Sequence, residues 1–229
     1  MKNIGLVIAT KREFNTIFLP EYGLECKEVQ TNPFVVHLVE IDDKRIYAIL
    51  AGVGQTMASA ATQHLIDKFN VSVILNYGVV GALVDNLGVK STVLVDKIID
   101  YEYDTTPIEG EVLGWHKDTY PEQFLKADPK LIEMAQKVDP SLQKVICASG
   151  NKFIVDINFK NELNKKFGAE ICEMESAGIA LTAHKNNVPV LYIKGVSDSR
   201  TGGADEFNNM ILVSSAITYK LLLKIVKEL

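Results

Sequence analysis

The chain has 229 residues, 47% hydrophobic and 23% charged, with a formal net charge of −5. That length buries a sizeable core as one large α/β domain or two small ones. Scattered basic residues within an acidic chain exclude the footprint of a nucleic-acid binder, and the longest apolar runs are too short to span a bilayer.

Cys26, Cys147 and Cys172 show no paired spacing. Without a secretory leader they read as reduced thiols of a cytoplasmic protein. The four histidines lack metal-ligand spacing, so no metal and no other cofactor is expected.

Ile4 to Ala9 form a continuous apolar run that suits a strand covered on both faces. Thr10 with Glu13 fits a capping box, so a helix starts there. Glu13 then either caps alone or also faces a cleft above the strand. Residues 34–41 and 45–51 predict two strands around the turn Asp42-Asp43-Lys44. Gly52-Val53-Gly54 lacks the third glycine of a dinucleotide loop and reads as a tight turn into a helix over 55–69. Val73 begins a buried strand that runs into a glycine-bearing loop ending near Leu83.

A strand over 92–99 leads into the acidic, aromatic stretch Asp100 to Asp104. Residues 104–124 are irregular, and such long segments often shape binding sites. Trp115, within it, is a packing anchor or belongs to a pocket or subunit contact. A helix over 129–138 and a strand over 143–149 precede Ser149-Gly150-Asn151-Lys152-Phe153-Ile154. Phe153 suits either the core or stacking on a flat ligand. After residues 169–180 comes a strand over 189–198 ending in Ser197-Asp198, then an amphipathic helix over 206–228. No repeat, linker or low-complexity tract interrupts the chain, so 1–229 reads as a single domain.

Glu173-Met174-Glu175 sits where a short strand becomes a helix with the small residues Ser176-Ala177-Gly178. The macrodipole should keep a carboxylate there ionised. An ionised carboxylate only accepts hydrogen bonds, so it suits a ligand offering hydroxyls. Glu13, Glu175 and Asp198 all stand at strand ends, where open α/β sheets bind ligands. Within close sequence range the cations beside Asp198 are Lys194 and Arg200.

Glu173-Met174-Glu175, Val196-Ser197-Asp198, Ser149 to Ile154 and the Asn76 to Leu83 stretch together resemble the purine nucleoside phosphorylase and uridine phosphorylase superfamily. Within it the chain resembles the 5′-methylthioadenosine/S-adenosylhomocysteine nucleosidases. The resemblance covers nearly the whole chain and implies a three-layer α/β domain, with a central mixed, mostly parallel sheet flanked by helices. It implies that Asp198 protonates N7 of adenine, Glu13 activates water and Glu175 holds the ribose hydroxyls. Met174 would pack on the sugar, Phe153 would stack on the base and Ile154 would bind its edge through main-chain groups. Ser197, Val79 and Glu173 complete the implied substrate-binding set. The implied partners are a purine nucleoside, water and a second copy of the chain in a homodimer. Four departures stand out. Val79-Val80 replaces a serine of the glycine loop, Tyr101-Glu102-Tyr103 a stretch that often holds histidine, and Lys194 a common arginine. Ala204 stands near where an aromatic often lines the 5′ pocket.

Cleaving an N-glycosidic bond builds positive charge on the sugar and negative charge on the base. A carboxylate near the sugar stabilises the first and a proton donor removes the second. Asp198 therefore needs a raised pKa, which burial beside other carboxylates supplies. Two alternatives stay open: a phosphate-dependent nucleoside phosphorylase, with Lys11 and Arg12 near the site, and a non-catalytic nucleoside-binding protein.

Overall fold

The structure, a computed structural model, describes residues 1–229. In chain order its elements are β1 (Lys2–Ile8), α1 (Lys11–Thr16), β2 (Cys26–Gln30), β3 (Val36–Ile41), β4 (Lys44–Leu50), α2 (Gln55–Phe69), β5 (Val73–Ala82), β6 (Thr92–Asp100), β7 (Leu125–Lys126), α3 (Pro129–Val138), β8 (Gln143–Ser149), α4 (Ile157–Phe167), β9 (Ile171–Glu173), α5 (Ser176–Lys185), β10 (Val190–Asp198) and α6 (Ala204–Glu228).

All ten strands join one mixed sheet in which the long pairings β1–β4, β5–β10 and β6–β8 are parallel. β10 bonds to β5 on one side and β6 on the other, while β6, β8, β9 and β5 are linked in turn. Five strands therefore close a ring, and β1, β4, β3 and β2 extend from it as an open wing. Closure removes exposed edges from that part of the sheet. β5 and β10 read as unbroken apolar runs because they are buried almost throughout. Helices flank the sheet, with α2 on α5 and α6 on α1, α3, β5 and β10.

The stretch expected to be a glycine-bearing loop after Val73 is strand as far as Ala82. Its glycines admit close neighbours, as described below, and do not turn the chain. Three elements carry no periodic sequence signal, and of these the two-residue β7 is too short for one. β2 is an edge strand with Lys27, Glu28 and Val29 exposed, so it carries no apolar alternation. α4 buries Lys160, Leu163 and Phe167 along one face, and a lysine in the first core position hides the stripe. Its ends are nonetheless marked by an Asp156 N-cap and a left-handed Gly168.

α6 is long and apolar enough to cross a membrane, contrary to the expectation from run lengths. Its buried positions, including Ile211, Tyr219, Leu222 and Ile225, instead pack into the protein interior. Residues 101–124 contain no helix or strand but are pinned in place. His116 Nε2 lies 2.9 Å from Asp100 Oδ2, and the Gly114 amide donates to Tyr103 O at 2.8 Å. Trp115 is half-buried, donates to Tyr120 O and lies away from the cavity described next, which supports the packing-anchor reading.

Candidate active site

Asp198 terminates β10, whose register against β5 slips between Val196 and Asp198. Such an irregularity re-aims a side chain. The carboxyl group lies over Gly81, where a Cβ would come within 2.8 Å of Oδ2. The Ser197 hydroxyl is 2.9 Å from Oδ1 and 3.2 Å from Val80 O. Lys160 Nζ lies 3.5 Å from Oδ2 and also donates to Ser199 O at 3.0 Å. Burial is the largest influence and raises the Asp198 pKa, while the Ser197 hydroxyl and the Lys160 ammonium oppose it. The expected direction holds. The expected setting does not, because the nearest charge is a lysine on α4, remote in sequence; Lys194 and Arg200 pair with Glu173 and Asp85.

Glu13 caps α1 and faces the cavity at the same time. Its Oε2 accepts from the Thr10 amide at 2.8 Å and from the Thr10 hydroxyl at 2.6 Å. Its Oε1 accepts from the Val79 amide at 2.8 Å. Gly78 leaves the space for this contact, since a Cβ there would meet Oε1 at 2.8 Å.

The two glutamates around Met174 have divided roles. Glu173, not Glu175, holds the N-terminus of α5, accepting from the Glu175 and Ser176 amides at 3.0–3.1 Å. It also pairs with Lys194 Nζ at 3.1 Å. Burial pushes its pKa up, but the Lys194 ammonium, Ser149 and the helix amides outweigh that and hold it low. Glu175 Oε1 accepts from the Gly54 amide at 2.8 Å, where the β4–α2 turn runs through left-handed Gly52 and Gly54. Burial, with the Glu173 charge next, pushes the Glu175 carboxyl up to about 7. Contrary to the sequence-based expectation, the macrodipole does not hold the Glu175 carboxyl low, because Glu173 takes the first amides of α5.

These groups line a cavity of about 430 Å³, within the size range of small-molecule sites. Its wall contains Glu13, Val79, Phe153, Glu173, Met174, Glu175, Ser197 and Asp198. Ile154 lines an adjoining recess beside Asp198, and neither of its main-chain groups has a hydrogen-bonding partner within the chain. All nine expected site residues thus converge. Phe153 is 43% exposed and meets Phe207 edge-on at 5.2 Å, which removes its core reading. Sequence reasoning misses two neighbours, Lys160 and Phe207, and enters a third, Arg12, only as a phosphate contact. Near Ala204, Phe207 at the start of α6 brings an aromatic ring to the cavity wall.

The chain is 29% identical over 182 residues to the aminodeoxyfutalosine nucleosidase of Campylobacter jejuni, covering 77% of this chain and 78% of the relative. It is 28% identical to the 5′-methylthioadenosine/S-adenosylhomocysteine nucleosidase of Desulfotalea psychrophila, over 99% of this chain and 97% of the relative. The solved 5′-methylthioadenosine/S-adenosylhomocysteine nucleosidase of Helicobacter pylori, with butyl-thio-DADMe-Immucillin-A, superposes with a TM-score of 0.91 at 25% identity, over 100% of this chain and 99% of that one. The family model of the phosphorylase superfamily matches residues 3–227, so with nearly the whole sequence and sheet accounted for, this chain belongs to that superfamily.

Proposed function

We propose that the protein hydrolyses the N-glycosidic bond of an adenine nucleoside. The substrates named for its relatives, 5′-methylthioadenosine, S-adenosylhomocysteine and aminodeoxyfutalosine, are the candidates. The observation that carries this reading is the convergence of Asp198, Glu175 and Glu13 on one cavity with Phe153 at its mouth. Asp198, its pKa raised, delivers a proton to N7 of the base as the bond breaks. Glu175 accepts from the ribose hydroxyls and, as its anion, faces the developing sugar cation. Glu13 has both oxygens fixed by donors and orients the attacking water with its remaining lone pairs. Phe153 stacks on the base, and the free main-chain groups of Ile154 take its edge. The whole chain acts as one domain, and no metal or cofactor is required. We read the exposed apolar side chains Val53, Met57, Phe153 and Val155 as covered by a second copy in a homodimer. Sedimentation equilibrium tests that, and a monomer at micromolar concentration would rule it out.

Hydrolysis is favoured over phosphorolysis because the Val79 amide, a ready anion donor, is already taken by the Glu13 carboxylate. Val79 and Val80 add no hydroxyl. Turnover in phosphate-free buffer should match turnover with phosphate and release free sugar. A sugar 1-phosphate product would refute hydrolysis, and tight binding without release of adenine would point to a non-catalytic binder.

Lys160 favours the ionised form of Asp198, against the burial that favours the neutral form. In K160M the Asp198 pKa should rise further, and the alkaline fall of kcat/KM should move to higher pH. Melting temperatures on the same samples check that the fold survives. An unmoved alkaline limb would show that Lys160 only fills space.

A further inference from the structure

Arg12 is the one cationic residue in the cavity wall, among four carboxylic residues. It precedes Glu13 in α1, yet the two side chains part. Glu13 is buried at the cavity floor, whereas Arg12 is exposed at the rim. Its guanidinium lies over the Phe207 ring, 5.1 Å from the centroid, and Nη1 donates to Asn208 Oδ1 at 3.0 Å. No carboxylate lies within ion-pair distance of it. An arginine held in place by an aromatic face and one neutral amide keeps most of its five donors for something else.

With the base against Phe153 and Asp198, and the sugar against Met174 and Glu175, the wall left for the 5′ substituent includes Val53, Phe207 and Arg12, beside the small residues Ala9 and Thr10. Val53 and Phe207 suit methylenes, and the guanidinium suits an anion beyond them. We propose that Arg12 is a specificity residue for adenine nucleosides whose 5′ substituent ends in a carboxylate; this rests on the proposed reading of the cavity as an adenine nucleoside site. The same guanidinium chemistry could serve free phosphate, so the test separates the two sources.

Two nucleosides serve as probes: 5′-S-(2-carboxyethyl)-5′-thioadenosine and its neutral 5′-S-propyl counterpart. Dissociation constants from calorimetry and kcat/KM from adenine release are measured for both, on wild type, R12K, R12M and R12E. Wild type should prefer the carboxylate. R12M should lower the carboxylate-to-propyl ratio about fivefold, the upper range for a partly exposed charge pair. R12K should restore part of the preference, R12E should reverse it, and added salt should weaken it in wild type. A ratio unchanged across the variants overturns the proposal. So does phosphate-stimulated turnover that R12M abolishes, which would assign Arg12 to free phosphate. If both probes bind with an Arg12-dependent preference and no adenine is released, the specificity role stands and the hydrolytic reading falls. If neither probe binds, both fall.

Discussion

Asp198→Asn should lower kcat by about 10² to 10⁴ on an adenine nucleoside, the usual contribution of a general acid. The asparagine still offers Oδ1 to the Ser197 hydroxyl, so that local bond survives. It cannot deliver a proton to the departing base. A 5-methylthioriboside of 4-nitrophenol, whose leaving group departs without protonation, should be largely spared. Equal losses on the two substrates would reject the proton-donor role. Stability should fall as well, because Lys160 is fully buried and would lose its one anionic partner. Removing one member of a buried pair costs about 3–5 kcal/mol when the other charge is stranded. Here the loss should be smaller, since Nζ also donates to the carbonyls of Ser199 and Gly202. A capping role alone would leave activity nearly unchanged, because asparagine caps about as well as aspartate.

Glu175→Gln should remove most activity and, above neutral pH, make the protein more stable. The activity loss follows from replacing a carboxylate that faces ribose hydroxyls and a forming cation by a neutral amide, since charge-assisted hydrogen bonds are roughly twice as strong as neutral ones. Because Glu175 must be ionised to do this and its pKa lies at about 7, wild-type kcat/KM should fall as pH drops through that region. The variant should lack that limb. The stability gain has the opposite origin. In the unfolded chain the same carboxyl ionises near its ordinary value of about 4.3, so the folded state holds a proton more tightly between about pH 4.3 and 7. Wild-type stability therefore declines with rising pH across that interval, by no more than about 3–4 kcal/mol, and the whole penalty is present above pH 7. The Glu175→Gln variant avoids that penalty, while the oxygen of its new side-chain amide can still accept from the Gly54 amide. Denaturant titrations at pH 5 and pH 8 should show a variant advantage that grows with pH. A variant less stable than wild type at pH 8, or one with near-normal turnover, would contradict the placement of a strained, functional carboxylate here. Such a trade of stability for activity is common where a site needs a buried charge.

Most of the element order was legible in the sequence. The helices over 55–69 and 129–138 and the strand over 143–149 fall at their expected bounds. Their turns and caps, including Gly54, Asp128 and left-handed Asn70, are encoded locally. The capping box at Thr10 and Glu13 is equally local. The convergence of Glu13, Glu175 and Asp198 is expected from one general rule: ligands gather at the carboxyl ends of parallel strands.

What the tertiary structure decided depends on contacts between distant parts of the chain. That β10 bonds to both β5 and β6, closing a five-strand ring, follows from pairings between segments far apart in sequence, which no local periodicity reports. The charge beside Asp198 was hidden because Lys160 lies on a helix whose polar composition concealed its buried face. The raised pKa of Glu175 escapes the sequence for a related reason. From sequence both glutamates stand at one helix N-terminus, and only the folded geometry gives its amides to Glu173, leaving Glu175 buried beside a like charge. Residue types at strand ends thus determined which chemistry is available. Burial and the long-range partners of each carboxylate decided how that chemistry is distributed among them, because pKa values respond to what surrounds a group in space and not to its neighbours in sequence.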